Sequence, residues 1–406
     1  MPKGGVSLAE IREAKRILRG VIRKTPLDRS RTFSEMTSSE LYLKLENLQK
    51  TGSFKTRGAY VKIHSLNREQ RGKGVVAASA GNHAQGVAYS ALLLKTKATI
   101  VMPEHASPAK IDATKGYGAK LVLEGRTFDD SLRRAIEISQ EEGSTLVHAF
   151  DDPKVVAGQG TIGLELLETE PGLEMIVVPV GGGGLISGIA VAAKSTNPRL
   201  KVVGVQSKAF PAVHEALRTG KVKLIQTGDT IADGIAVRGP GKLTFQLIEK
   251  YVDDVVLVDD DEIAKAILLL LERAKVVVEP AGAVGLAAIL SGRIKVKGIK
   301  CAVVLSGGNI DMYTLDKIVA KGLEKEGRLL RLRFTLADRP GALREIIDAL
   351  AEVNANVVDV RHERMGSDVP LGRAAVVVSV ETQNPRHTQK LLTRLARADI
   401  RYQRLG

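Results

Sequence analysis

The residue in this chain best placed to act as a nucleophile is a lysine just past a glycine turn. It lies in Lys50-Thr51-Gly52-Ser53-Phe54-Lys55-Thr56-Arg57-Gly58-Ala59, and Tyr60, Val61 and Ile63 continue the pattern as a helix. Ser53 is the expected N-cap, because its hydroxyl oxygen can accept from the free N–H groups of the first turn. Lys55 then falls in that turn, where the positive end of the helix dipole opposes an ammonium. With the apolar Phe54 beside it, its pKa should fall, which suits an amine that forms a Schiff base. An exposed lysine at a helix start accounts for this stretch equally well, so the rest of the chain must decide.

Three more stretches put small residues where a strand ends. After Val75–Ala78 comes Ser79-Ala80-Gly81-Asn82-His83-Ala84-Gln85-Gly86. Such a turn lets a ligand approach the backbone, and the following helix offers free N–H groups to a carboxylate. An ordinary strand–helix turn capped by Asn82 is the alternative. After Met175–Val180 comes Gly181-Gly182-Gly183-Gly184-Leu185, opening a helix over Ile186–Lys194. Backbone N–H groups exposed there form a phosphate cradle. This run fits neither Gly-x-Gly-x-x-Gly nor Gly-Lys-Ser/Thr, so neither a dinucleotide nor a P-loop reading suits it. A flexible glycine linker is the competing reading. After Ile299–Leu305 comes Ser306-Gly307-Gly308-Asn309, a hydroxyl at a strand's carboxyl end. A lysine amine, a phosphate cradle and two turns with polar tips together point to a phosphorylated aldehyde, pyridoxal 5'-phosphate, held by the lysine.

The elements that must position these turns alternate along the chain. Strands are expected at Leu41–Leu45, Val75–Ser79, Ala98–Met102, Lys120–Leu123, Leu146–Phe150, Met175–Val180, Lys201–Gln206, Val255–Val258 and Ile299–Leu305. Between them run helical patterns such as Ser7–Gly20, Asn82–Lys95, Pro108–Tyr117, Phe128–Glu141, Val155–Glu168 and Asp260–Ala274. Apolar runs separated by helices predict parallel sheets covered on both faces. There are too many strands for one sheet, so the expectation is α/β with two parallel-sheet subdomains and a cleft between them. After Gly327 the composition shifts: residues 328–406 hold 13 Arg and one Lys, Lys390. There the pattern reads strand (Leu329–Leu336), helix (Gly341–Val353), strand (Val357–Glu363), strand (Ala374–Glu381), helix (Pro385–Ala398) and strand (Ile400–Leu405). That is the βαββαβ, ferredoxin-like order. The expected domains are 1–320 and 328–406, joined by a helix over Tyr313–Glu326.

Bulk properties set limits. Apolar residues make up 44% and charged residues 26%, as in ordinary globular proteins. No apolar run reaches transmembrane length, and the stretch after Met1-Pro2-Lys3-Gly4 reads as no leader, so a cytoplasmic location is expected. The formal charge is +14, yet basic residues are dispersed and aromatics are 3%, so no nucleic-acid surface is expected. The single cysteine, Cys301, excludes an internal disulfide and sits in an apolar strand pattern.

The four turns, in this order, resemble the threonine dehydratase (threonine ammonia-lyase) branch of the fold-type II pyridoxal phosphate enzymes, whose fold is tryptophan synthase β-like. Glu279-Pro280-Ala281-Gly282-Ala283 and Ala232-Asp233-Gly234-Ile235-Ala236-Val237 look like that family's cofactor-side loops, and the likeness spans about residues 7 to 320. The tail, with Asp338-Arg339-Pro340-Gly341-Ala342-Leu343, resembles an amino-acid-sensing ACT domain. The resemblance implies that Lys55 holds the cofactor and takes the substrate's α-proton. It implies that Phe54 packs near the ring, that Asn82 bonds its 3′-oxygen, and that Ser306 faces the pyridine nitrogen. Gly181, Gly182, Gly183, Gly184 and Leu185 would hold the phosphate. The backbone around Ser79, Ala80, Gly81, Asn82 and His83 would hold the substrate carboxylate. Serine racemases look similar but carry a serine where this chain has Ala80, so elimination without racemisation is implied. Racemase-like relatives bind a divalent cation through an acidic residue where this chain has Gln206, a poor ligand for a hard ion, and no metal is expected. L-threonine would yield 2-oxobutanoate and ammonia, with L-serine a further substrate. A serine or hydroxyaspartate dehydratase, or an idle amino-acid sensor, are the alternatives. An effector such as isoleucine is expected near Gly341 and Asn356, in a homodimer or homotetramer.

Overall fold

Near-continuous apolar runs in the first part of the chain are buried on both faces, as parallel strands must be when helices cover them. The structure, a computed structural model, describes residues 5–225, 228–366 and 369–405; residues 1–4, on which the reading of no leader rests, lie outside them. The backbone forms two compact units, Met1–Asp311 and Met312–Gly406. The sequence reading ended its first domain at 320, whereas the helix Met312–Lys325 goes with the second unit.

In chain order the first unit's strands are β1 (Leu27–Arg29), β2 (Glu40–Leu45), β3 (Val75–Ala78), β4 (Ala98–Met102), β5 (Lys120–Leu123), β6 (Thr145–Leu146), β7 (Met175–Pro179), β8 (Lys201–Ser207), β9 (Asp254–Val258) and β10 (Lys300–Leu305). One sheet has the order β1-β2-β10-β7-β8-β9, parallel except that β1 runs antiparallel to β2. The other, β5-β4-β3-β6, is parallel throughout. The expected pair of α/β subdomains is therefore present. Two details differ from expectation. Three-residue β1 is too short and too exposed to show a period. The strand expected over Leu146–Phe150 stops at Leu146, because Val147 and Ala149 give their carbonyls to the side chains of His83 and Lys55 instead of to a neighbouring strand. Cys301 is buried in β10, and burial pushes its thiol up.

The helix Pro153–Thr169 is the spine of this unit. Asp152 caps it, accepting from the N–H groups of Lys154 (2.8 Å) and Val155 (3.1 Å), and Pro153 stands at its first turn. It is buried from Val155 to Leu166, the polar Gln159, Thr161 and Glu165 included. Small residues let two helices touch its backbone. A Cβ on Gly158 would lie 2.6 Å from Gly58 Cα in the helix Lys55–His64, and one on Gly160 would lie 2.8 Å from Gly188 O in the helix Gly184–Thr196. The lysine helix and the glycine-cradle helix are thus set against opposite flanks of one rod.

The second unit continues with β11 (Leu329–Ala337), β12 (Asn356–Glu363), β13 (Arg373–Glu381) and β14 (Tyr402–Leu405), in the antiparallel order β12-β13-β11-β14. The helices Arg344–Glu352 and Pro385–Arg397 pack on one face, over a core that includes Leu332, Phe334, Ile346, Val378 and Leu391. The first of these helices begins three residues later than expected, because Gly341 stands at φ +84°, outside the helical region.

Register separates the two expected effector positions. Leu329 and Asn356 both pair with Glu381, while Ala337 pairs with Arg373. Asn356 therefore lies at the end where β11 begins, and Gly341 follows the end where it finishes; β11 itself is about 27 Å long at about 3.4 Å per residue. Asn356 Nδ2 donates to Glu381 Oε2 (3.2 Å), and the space around Gly341 is open. One copy of this unit does not bring them into one site.

The spine makes a direct prediction. Gly158→Ala forces a methyl between two backbones and is expected to destabilise by about 1–3 kcal/mol. Gly72→Ala, with nothing within 4 Å, is the control. Melting temperatures that fall equally or not at all in the two variants would refute the close-contact account.

Candidate active site

Lys55, Asn82, the glycine run and Ser306 converge on one cavity of about 300 Å³ between the two sheets. Phe54, Ser79, Ala80, Gly81, His83, Gly181–Gly184 and Leu185 also line it, so every cofactor-side and substrate-side residue expected from the sequence reaches the same space. The turns are tied to each other by main chain. Phe54 N donates to Ser306 O (3.1 Å), and Gly308 N donates to Gly52 O (2.9 Å). Asn309 adds a side-chain tie, donating from Nδ2 to Thr51 O (2.8 Å) and to Asn82 Oδ1 (2.7 Å).

This ladder overturns the expected cap. Ser53 is drawn into a bridge opposite Gly307, and the helix Lys55–His64 starts after Phe54 with no side-chain cap. Ser53 Oγ is buried and without a partner. Asn82 is not a cap either: Gly81 holds that position, and Asn82 is the first helical residue.

Four helices that begin at the cavity wall are Lys55–His64, Asn82–Leu93, Gly184–Thr196 and Pro280–Leu290. None has a side-chain cap. Other helices often do, through Ser7, Ser30, Asn67, Thr127, Asp152, Asp259 and Asn384, the helix that Thr127 caps also opening at the cavity with Phe128. Unspent N–H groups and positive dipole ends therefore gather around one space, which suits a ligand with more than one anionic group. The glycine run is shaped for the same purpose. Gly183 sits at φ +94°, and side chains on Gly182 or Gly184 would collide with Phe150. Thr244 Oγ1 donates to Gly182 O (2.7 Å), and Asp151 fixes the Thr244 segment by accepting from the N–H groups of Lys242, Leu243 and Thr244. This is a held cradle and not a linker.

Burial in the cleft lowers the Lys55 amine to about 8, with the nearby Glu279 opposing the fall. The amine donates to Ala149 O (3.0 Å) and lies 5.3 Å from the Phe54 ring centroid. Burial also lowers His83, helped by the Lys55 charge, to about 3. Its ring is therefore neutral. Nε2 donates to Val147 O (2.8 Å), and Nδ1 is buried without a partner. His83 anchors the turn and has no proton to give at neutral pH. Gln206 Oε1 accepts from Val213 N (3.0 Å) and His214 N (2.9 Å), which spends that oxygen on a helix start. Among the described residues no group of three metal-ligating side chains occurs.

Some residues of the site carried no role in the sequence reading. Arg57, two residues past Lys55, is fully buried and bonded to Glu46 and Glu165. Glu279, buried at the cavity wall, accepts from Asn82 Nδ2 (2.6 Å), and Asn309 ties two turns together. All three stand inside the quoted motifs, but only long-range contacts reveal what they do.

A nucleophilic amine whose pKa burial lowers to about 8, a glycine cradle and uncapped helix starts around one cavity define an enzyme that holds a phosphorylated aldehyde on lysine. Comparison agrees. The model of pyridoxal-phosphate dependent enzymes matches residues 18–307, and that of the ACT domain matches residues 330–399. An L-threonine ammonia-lyase of Thermotoga maritima is 52% identical over 386 residues, 95% of this chain and 96% of that protein. One from Geobacter sulfurreducens is 48% identical over 385 residues, with the same coverage. Maize serine racemase, a solved structure, aligns with a TM-score of 0.74 at 37% identity, covering 80% of this chain and 99% of that one. The chain belongs to the pyridoxal-phosphate dependent enzymes, in the L-threonine ammonia-lyase family, and carries an ACT domain over residues 330–399.

The Lys55 shift has a consequence for stability. An amine whose pKa falls from 10.5 to about 8 on folding costs nothing above pH 10.5. The cost builds as pH drops through that window, because the unfolded chain takes the proton first. In cofactor-free protein, Lys55→Met should therefore raise the melting temperature near pH 7 and lose that advantage towards pH 10.5. An equal difference at both pH values would exclude burial of the amine as the cause.

Proposed function

We propose that this enzyme eliminates water from L-threonine, giving 2-oxobutanoate and ammonia, and that L-serine is a second substrate. The observation that carries the reading is the placement of the Lys55 amine, its pKa lowered by burial, in a cavity ringed by uncapped helix starts. The names of the most similar relatives support it.

When bound, pyridoxal phosphate supplies the electron sink that lets a Cα–H bond break. The chain's residues supply the rest. Gly181–Gly184 and Leu185 hold the phosphate on the N–H groups that open the helix Gly184–Thr196. The turn Ser79–His83 takes the substrate carboxylate on the N–H groups of the helix Asn82–Leu93. Asn82 would hold the ring oxygen, and Phe54 would pack against the ring. Ser306 faces the ring nitrogen with a neutral hydroxyl, which leaves the ring less electron-poor than an aspartate would and favours prompt departure of the β-hydroxyl over transamination. Lys55 Nζ takes the α-proton. Ala80 offers no hydroxyl to return a proton on the opposite face, so the serine racemase likeness does not extend to racemisation.

The second unit is read as the sensor of an amino-acid effector such as isoleucine. Since Gly341 and Asn356 lie at opposite ends of its sheet, they can frame one ligand only across two copies of the chain. β12, an edge strand with Val358 59% exposed, is the face available for such pairing. A homodimer or homotetramer follows. Among the described residues no helix is long and apolar enough to cross a membrane, and a cytoplasmic location is the companion proposal.

Purified protein given L-threonine should produce 2-oxobutanoate, with serine turned over as well. Lys55→Ala should reduce turnover by at least about a thousandfold, the upper range for removing a proton-transfer group. Unchanged elimination would remove Lys55 from the chemistry. Isoleucine at a hundred times its dissociation constant should stabilise the folded chain by about 2.7 kcal/mol. An Asn356→Ala variant that keeps the full response excludes Asn356 from the effector site.

A further inference from the structure

Glu279 occupies the N-cap position of the helix Pro280–Leu290 but does not cap it. Its N–H donates to Gly307 O (3.0 Å), and its carboxyl turns away from its own helix towards Asn82. The fit is close. A side chain on Gly307 would collide with Glu279 Oε1, the oxygen that accepts from Asn82 Nδ2 at 2.6 Å. The other end of the Asn82 amide is held too, since Oδ1 accepts from Asn309 Nδ2 at 2.7 Å. One N–H of Asn82 is thus spent on Glu279, the carbonyl is spent on Asn309, and one N–H is left for a ligand.

On the reading that Asn82 faces the ring oxygen of the cofactor, we propose that Glu279 is a positioning residue: it fixes the Asn82 amide so that the remaining N–H points at that oxygen. The charges around the carboxyl suit the task. Lys55 faces it from the helix Lys55–His64, Lys110 from the helix Pro108–Lys115, and Asp233 from the short turn Asp233–Ile235. Lys110 and Asp233 are themselves paired at 2.6 Å. Burial first, then Asp233, raise Glu279 to about 8 against the opposing pull of Asn82, Lys110 and Lys55. Near pH 7 the carboxyl is mostly protonated, so it holds Asn82 without placing a negative charge beside an electron-rich ring. Ionisation at higher pH would place that charge there, and the ring would register it.

The test uses holoenzyme reconstituted with pyridoxal 5'-phosphate, without substrate, as wild type, Glu279→Gln and Glu279→Ala. Cofactor absorbance is followed from about pH 6 to about pH 10, and cofactor affinity is measured at about pH 7. Wild type should show a spectral step at or above pH 8, where the carboxyl loses its proton. Glu279→Gln keeps an acceptor for Asn82 and cannot ionise. It should bind the cofactor within about twofold of wild type and lack the step. Glu279→Ala should shift the band at every pH and weaken cofactor binding about tenfold, the loss expected for one buried hydrogen bond. A wild-type band and affinity in Glu279→Ala would overturn the positioning role. A step that persists in Glu279→Gln would overturn the assignment of the titrating group. Absence of any cofactor band in wild type would sink the cofactor assignment of Asn82, and the proposal with it, a result distinct from both.

Discussion

A guanidinium sealed from water fixes the geometry on which this site depends. Arg57 bonds Glu46 through Nε and Nη2 (2.8 Å each), Glu165 through Nη1 (2.6 Å) and Nη2 (2.9 Å), and Thr161 Oγ1 through Nη1 (3.0 Å). Lys44, also buried, donates to Glu165 (2.6 Å) and to Thr25 O (2.8 Å), and Thr25 bonds Glu46. Two cations and two carboxylates leave the cluster neutral, the condition under which buried charge is tolerated. Burial alone would lower the Arg57 pKa, but Glu46 and Glu165 more than offset it. Glu165, which burial would raise, is held down by Arg57 and Lys44.

The cluster matters because of where Arg57 lies on its helix. Two residues are about 200° of turn, so a helix with Arg57 facing inward must present Lys55 the other way, to the cavity. Glu46 follows directly on β2, and Glu165 and Thr161 are on the spine helix, so the guanidinium joins sheet, spine and lysine helix at one point. Rotation of the lysine helix would break several charged bonds at once. Gly58 and Gly158 then set its distance from the spine, and Gly86 brings the helix Asn82–Leu93 onto the Lys55 backbone, where a Cβ would lie 3.0 Å from Lys55 C. The reactive amine needs no strong contact of its own.

Such anchoring offsets what the site itself gives up. Four uncapped helix starts, a desolvated amine and a desolvated carboxyl each make the fold less stable than satisfied groups would. They are also the features that bind anions and keep protons on the right groups. Stability therefore sits in the spine and the Arg57 cluster, and reactivity in the turns, within a few residues of each other. This division explains why Lys55 and Arg57 share one short motif.

The fold was largely legible in the sequence, for a physical reason. β4 ends where its apolar run ends, because a parallel strand covered on both faces is apolar nearly throughout. The site residues were legible as a set, since small residues at strand ends are visible one by one. What escaped was decided by partners far along the chain. Ser53 reads as a cap until Gly307, over 250 residues later, draws it into a bridge. Glu279 reads as a loop acid until Asn82 is beside it. The sharpest case is the pair Gly341 and Asn356. Both stand at turns of the same small unit, and nothing local reveals that β11 and β12 each meet Glu381 through the same partner strand. Once that register is known, the two turns face opposite ends of the sheet, and any ligand touching both must touch two chains. The fold of one copy keeps the two expected effector positions apart.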